Sequence, residues 1–315
     1  MKNNKYLDII KYLYCKYYIE GNGLSDASSY WKRKGLLSEE IINYNGNNLE
    51  LTNEHFQLGS QKRKNFVNYL DYLICYPNIS KLRKKYLVNK KLYTIARELM
   101  DERKILFGYD QMKQLLCFDK IYRTDLIPEN EFVCVIGDGY GFITSLTKKL
   151  FPKNGIFCVN LSKMLLFDVH GCQQNFSKFE HQNCELIENK KDLPNPNNNS
   201  IFFLESQNAS LLNNMPVGLY INICSMQEMT MDIIQNYFKI MRNSSKNPLF
   251  YCCNRVDKKF KSGNHLIFDN YPWEKNDEIV FDEICPWIMF RPISKPPFKR
   301  KFNPHKHRLS RLYKD

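Results

Sequence analysis

The run Val133-Cys134-Val135-Ile136-Gly137-Asp138-Gly139-Tyr140-Gly141-Phe142 decides how this chain is read. A short apolar, β-branched stretch ends in three glycines separated by single residues, and an apolar, lysine-containing segment follows from Phe142 to Leu150. That order predicts strand, tight turn and helix. Glycine lets the backbone approach a ligand closely, and the first turn of a helix presents unpaired N–H groups. The stretch therefore reads as a nucleotide-type cofactor loop at the end of a sheet strand.

Further strand-like runs follow at Ile156 to Val159, Ile201 to Leu204, Leu219 to Ile223 and Leu249 to Cys253. Helical stretches lie between them at Phe142 to Leu150, Lys163 to Phe176 and Thr230 to Met241. Alternation of this kind predicts an α/β fold on a mainly parallel sheet, over residues 128–315. Residues 1–127 carry apolar and aromatic positions at three- and four-residue intervals, such as Phe66, Tyr69, Leu70 and Leu73, which predicts an α-helical N-terminal region. Gly21-Asn22-Gly23 and Asn43 to Asn48 interrupt it. Lys190 to Ser200, with two prolines and an asparagine run, reads as a surface loop.

At 315 residues the chain is long enough for about two domains. It has no run of 18 apolar residues, and no apolar stretch follows the charges of its first residues, so a soluble, cytoplasmic protein without a signal peptide or integral membrane segment is expected. The 11 cysteines fall largely inside apolar runs and show no zinc-type CxxC spacing. They read as reduced core residues, with no metal expected, and Cys252 and Cys253 should face opposite sides of a strand. A net charge of +13 favours anionic partners in principle. It is spread along a Lys- and Asn-rich chain, which argues against a nucleic-acid footprint, and Arg300, Lys301, Lys306 and Arg308 read as a solvated face.

The glycine spacing departs from the dinucleotide fingerprint, in which the third glycine comes three residues after the second. Here it comes after two. The loop resembles the first motif of class I S-adenosylmethionine-dependent methyltransferases, although a dinucleotide enzyme or an ordinary βα turn stays open on the loop alone. Leu219-Tyr220-Ile221-Asn222-Ile223-Cys224-Ser225-Met226-Gln227-Glu228-Met229 is similar to the central motif of the sugar O-methyltransferase family. Ser29-Tyr30-Trp31, Phe250 to Arg255, Asp269 to Trp273 and His307-Arg308-Leu309 resemble further blocks of that family in the same order.

The resemblance implies a Rossmann-like class I methyltransferase sheet behind an α-helical N-terminal region. It implies S-adenosyl-L-methionine as cofactor, S-adenosyl-L-homocysteine as product, and a sugar, sugar-nucleotide or glycan acceptor. Gly137, Asp138, Gly139 and Gly141 would then bind the cofactor with Asn160 and Leu161 at the second strand's end and Ser206, Gln207 and Asn208 after the third. Asn160 stands where most such enzymes place an acid for the ribose, because two carboxylate oxygens can accept from both hydroxyls.

Glu228, in the turn after the fourth strand, is the first candidate for the base that activates a hydroxyl, with His170 and His265 as alternatives. Glu228 also fits a second role, favouring the N-terminus of the following helix through its charge. On the acceptor side stand Ser225, Met226, Gln227, Tyr237, Asn254, Arg255, Trp273 and Arg291. Arginine suits phosphate, and aromatic rings pack on sugar C–H faces. An RNA methyltransferase and a catalytically inactive methyltransferase-fold binding protein remain the alternatives.

Overall fold

The computed structural model describes residues 5–20, 66–176, 183–245, 247–260, 263 and 265–314, with backbone alone at 42–44, 49–51, 67 and 68. Gly21-Asn22-Gly23, residues 45–48 and the Ser29-Tyr30-Trp31 block lie outside them. Among the described residues, four α-helices precede the sheet: α1 (Lys5–Tyr14), α2 (Phe66–Tyr86), α3 (Lys90–Glu102) and α4 (Tyr109–Tyr122). Between α1 and α2 a short strand β1 (Ile42–Tyr44) pairs antiparallel with β2 (Leu49–Leu51), where loop alone was expected.

The alternating part runs β3 (Phe132–Ile136), α5 (Phe142–Leu150), β4 (Ile156–Asn160), α6 (Ser162–Phe176), β5 (Cys184–Ile187), β6 (Ile201–Glu205), β7 (Val217–Ile223), α7 (Met231–Ser244) and β8 (Leu249–Arg255). It continues through a hairpin of β9 (Asp257–Lys259) and β10 (His265–Ile267), then β11 (Glu278–Ile284). A second hairpin of β12 (Phe290–Pro292) and β13 (Lys299–Lys301) leads to β14 (His305–Arg311).

Eight strands form one sheet in the order β11-β14-β8-β7-β3-β4-β6-β5. Every strand runs parallel to the others except β14, which is antiparallel to both neighbours. The fold is the mixed α/β class on a mainly parallel sheet that the alternation predicts, and it is Rossmann-like, as the resemblance implies. From β3 the chain builds outward through β4 and β6, then returns to β3's other side for β7 and β8. That reversal is a topological switch point, where open α/β sheets bind ligands beyond the strands' carboxyl ends.

Both faces of the sheet are covered, so its central strands are continuous apolar runs and alternate residues feed two cores. Val133, Val135, Ile156, Cys158, Leu219, Ile221, Tyr251 and Cys253 face a core shared with α1 and α3 to α6. Phe132, Cys134, Phe157, Val159, Tyr220, Phe250 and Cys252 face the core under α7. Cys252 and Cys253 therefore do point to opposite faces. All 11 cysteines are free. Among the described residues no helix is long and apolar enough to cross a membrane.

The solvated face expected near the end of the sequence is confined to Arg300 and Lys301 on the exposed β13. Arg308 is buried in the sheet interior, where its guanidinium meets Asp282 at 2.6 Å. Lys306 reaches Asp269 at 2.6 Å and Asp282 at 2.9 Å. The register accounts for this: Asp282 of β11 lies directly opposite Arg308 of β14, so these charges are neutralised across strands.

Candidate functional site

Beyond β3 the chain turns through three left-handed glycines, Gly137 at φ +70°, Gly139 at +88° and Gly141 at +64°. A Cβ on Gly137 would lie 2.3 Å from Ser225 Oγ, and one on Gly141 would lie 2.6 Å from the Asp168 carbonyl oxygen. Both positions thus require glycine for their φ and for close approach. Asp138 turns back onto the helix that follows, accepting from the Ile143 N–H at 3.1 Å and the Thr144 N–H at 2.7 Å. Burial raises the Asp138 carboxyl pKa against the pull of those N–H groups.

Asp168 of α6 joins this turn to the end of β4. One of its oxygens accepts from the Gly141 N–H at 3.0 Å, the other from Asn160 Nδ2 at 2.6 Å. Asn160 Oδ1 in turn accepts from the Leu161 N–H at 2.8 Å, so both ends of the amide are engaged inside the protein. Burial, then the nearby Asp138, pushes the Asp168 carboxyl up to about 8. An acid at position 160 would bring a third carboxylate against these two, which accounts for the amide found there.

The turn is braced from the N-terminal region by Arg103, which follows α3 and is buried. Its guanidinium donates to Tyr140 O at 2.9 Å, Gly141 O at 3.2 Å and Asn175 Oδ1 at 2.7 Å, and lies 5.0 Å from the centre of the Tyr140 ring. Gly171 makes room for this contact, since a Cβ there would meet Tyr140 O at 2.1 Å. His170, beside it, is buried with its ring edge-on to Tyr140 at 6.2 Å and a nitrogen 3.1 Å from Gln174 Nε2. Of the histidine alternatives, this one lies against the loop.

At the end of β6, Glu205 pairs in register with Asn160. Its buried carboxylate accepts from Lys16 Nζ at 2.8 Å and from Gln207 Nε2 at 2.7 Å. Lys16 also reaches Glu188 at 3.1 Å, which fastens the segment after α1 across the ends of β5 and β6. Ser206, Gln207 and Asn208 begin a 3-10 turn at the same rim. The predicted cofactor residues on β3, β4 and β6 are therefore brought together along adjacent strand ends.

On the other side of β3, the expected acceptor residues knit strand ends together. Asn222 Nδ2 donates to Ile136 O at 3.0 Å, and Asn222 Oδ1 accepts from Asn254 Nδ2 at 2.8 Å and the Met226 N–H at 3.2 Å. Ser225 Oγ donates to Ile136 O at 3.0 Å. Asn254 Oδ1 accepts from the Gln227 N–H, and Gln227 Oε1 from the Arg255 N–H, each at 3.0 Å. Met226 is fully buried. The polar side chains of Ser225, Gln227 and Asn254 are thus engaged in holding this turn, with Asn222 at the centre.

Glu228 closes the turn, and both its oxygens accept from Lys258 Nζ at 2.8 Å. Arg255 Nε is buried and makes no hydrogen bond among the described residues. Its guanidinium carbon lies 5.9 Å from the centre of the Phe302 ring.

Four predicted residues sit elsewhere. Tyr237 is buried in the core under α7. Trp273 stacks on Phe250 at 5.7 Å, meets Phe238 edge-on at 4.9 Å and lies 4.6 Å from the Arg308 guanidinium. Phe250 is near the amino end of β8, so this aromatic cluster packs at the opposite end of the strand from the glycine-loop rim. His265 is exposed at the start of β10, bonded to Asp257 at 2.9 Å. Arg291 is on the exposed β12, 3.9 Å from Asp110.

Sequence reasoning missed Arg103, Asp168, Asn222 and the Lys16–Glu205 pair. One signal was available: Gly171 interrupts a helical run, and a glycine in that setting commonly marks a close approach.

No protein-family model and no curated protein matches the chain. Among solved structures, it is similar to magnesium protoporphyrin IX methyltransferase from Synechocystis PCC 6803 with bound S-adenosylmethionine. That similarity is at 10% identity and a TM-score of 0.38, over 75% of this chain and 91% of that one. It is also similar to the glycopeptide N-methyltransferase MtfA complexed with S-adenosylmethionine, at 11% identity and a TM-score of 0.29, over 61% and 69%.

Proposed function

We propose that this chain is an S-adenosylmethionine-dependent methyltransferase acting on a hydroxyl of a sugar or glycan precursor. The observation that carries the cofactor reading is where Asp138 spends its carboxylate. A dinucleotide's pyrophosphate is held by free N–H groups at the helix behind the glycine turn. Here Asp138 takes the N–H groups of Ile143 and Thr144, and Asp168 takes that of Gly141. The N–H groups that a diphosphate would need at this turn are therefore already occupied by the protein's own carboxyl groups. The sheet also departs from the all-parallel dinucleotide arrangement by inserting β14 between β8 and β11.

S-adenosylmethionine, when bound, supplies an electrophilic methyl group on a sulfonium. Gly137, Gly139 and Gly141 let the chain approach it, while Asn160, Leu161 and Ser206 to Asn208 line the rim toward its nucleoside. Glu228 accepts the acceptor hydroxyl's proton, held in place by Lys258; such a base contributes ~10²–10⁴-fold. Arg255, partly buried at the end of β8 beside this turn, is the residue suited to an acidic group on the acceptor, such as a sugar-linked phosphate. The sugar itself rests on the resemblance of Leu219 to Met229, Phe250 to Arg255 and Asp269 to Trp273 to sugar O-methyltransferases.

The test is calorimetric titration with S-adenosylhomocysteine and, separately, NADH, on wild type and Gly139→Arg. Saturable binding of S-adenosylhomocysteine alone, lost in the variant, supports the cofactor. No binding by the folded wild type, or preference for NADH, overturns it. Methyl transfer to sugar nucleotides, reduced ~10²–10⁴-fold in Glu228→Gln, supports the acceptor and base. Binding without transfer to any sugar acceptor favours a protein that kept the fold and lost turnover.

A further inference from the structure

Three cysteines far apart in the sequence converge in the core. Cys117 comes from α4, Cys253 from β8 and Cys285 from the residue after β11, and their sulfurs all lie within 4.8 Å of one another. Each is fully buried. An ion at the centre of a triangle with that edge sits about 2.8 Å from each sulfur, against about 2.3 Å in a zinc–thiolate bond, so small side-chain rotations close the site.

The surroundings suit thiolates. The Trp287 indole N–H donates to Cys117 Sγ at 3.4 Å, a contact that stabilises negative charge on sulfur. His307 lies directly across from Cys253 in the β8–β14 register, buried, with Nδ1 3.1 Å from the Tyr251 hydroxyl. Cys224, half-buried after β7, lies beside Cys253, its N–H donating to the Cys253 carbonyl oxygen at 2.8 Å. The absence of CxxC spacing does not bear on such a site, because sheet and helix packing brings its ligands together.

We propose that Cys117, Cys253 and Cys285 bind one thiophilic d¹⁰ metal ion, zinc(II) or copper(I), which ties the N-terminal helical region and the strands next to the C-terminal β14 to the central sheet. Soft thiolate ligands select such ions over magnesium or calcium. Binding exchanges three thiol protons, released to solvent, for the ion, with no change of oxidation state. This site lies in the core facing α4, so it stands or falls independently of the cofactor loop.

The full chain, purified from medium supplemented with zinc and copper, is analysed by elemental mass spectrometry, which also tells the two metals apart. The expected result is about one such ion per chain in wild type and in the control Cys184→Ser, lost in Cys117→Ser and Cys285→Ser, with a lower melting temperature after chelation. Wild type also reports without any variant. The chelated protein titrated with cobalt(II) should gain thiolate charge-transfer bands. A metal-free wild type that shows no cobalt band overturns the proposal. So does metal retained by both serine variants.

Discussion

Asn160 holds Asp168 through a 2.6 Å hydrogen bond from its amide nitrogen, so the residue at the end of β4 and the carboxyl that anchors the glycine turn are one unit. Asn160→Asp puts two carboxyl groups in contact, and Asp168→Asn leaves the Gly141 N–H facing an amide. Each single change should destabilise by about 1–3 kcal/mol. The double variant restores one acid and one amide, so a double-mutant cycle by urea unfolding should give a favourable coupling of about 1–3 kcal/mol. Additive effects would break the link.

The same carboxyl should make stability depend on pH. Burial, then Asp138, raises the folded-state pKa of Asp168 to about 8, above the ordinary carboxylate value of 3.8. Between those values the folded state binds more protons than the unfolded one, so stability falls as pH rises. Unfolding free energy measured by urea from pH 4 to pH 8 should decline, and Asp168→Asn should flatten that slope. A slope unchanged in the variant would assign the effect to another group.

Arg103 makes one hydrogen bond with a side chain and two with carbonyls of the turn, which a lysine cannot reproduce. Arg103→Lys should cost about 2 kcal/mol and Arg103→Ala about 4 kcal/mol in urea unfolding, because buried acceptors lose their donor. If the turn is the cofactor loop, both variants should also weaken S-adenosylhomocysteine binding in calorimetry.

Lys16 should matter more to folding than its place near the N-terminus implies. Lys16→Met removes the ammonium group that neutralises the buried Glu205 carboxylate, at a cost of about 3 kcal/mol. Adding Glu205→Gln removes the stranded charge and should recover most of that loss in thermal melting. Failure of the second change to rescue would show that Lys16 acts through Glu188 instead.

The apolar parallel strands were legible because each is buried on both faces and is bounded by turn residues. β3 and α5 begin and end where the hydrophobic run and the glycines predict. β11 and β14 were not, because Glu278 to Ile284 and His305 to Arg311 carry charges whose partners lie on the neighbouring strand. The turn after β7 was legible as a polar segment, but its bonding was not: whether Ser225 or Asn254 faces a ligand or another strand depends on Asn222 and Ile136, distant in sequence. Asp168 and Arg103 read as ordinary helix residues until α3, α6 and the glycine turn are packed together.

The position of β14 has a consequence for how the chain is made. It lies between β8 and β11, yet it is the last of the three to leave the ribosome, so neither neighbour has its central partner until residues 305–311 exist. During that interval the nascent sheet presents the open edge of β8, an invitation to pair with another chain. Synthesis that stalls before residue 305 should therefore yield a species prone to self-association, and the yield of folded protein should respond to holdase chaperones.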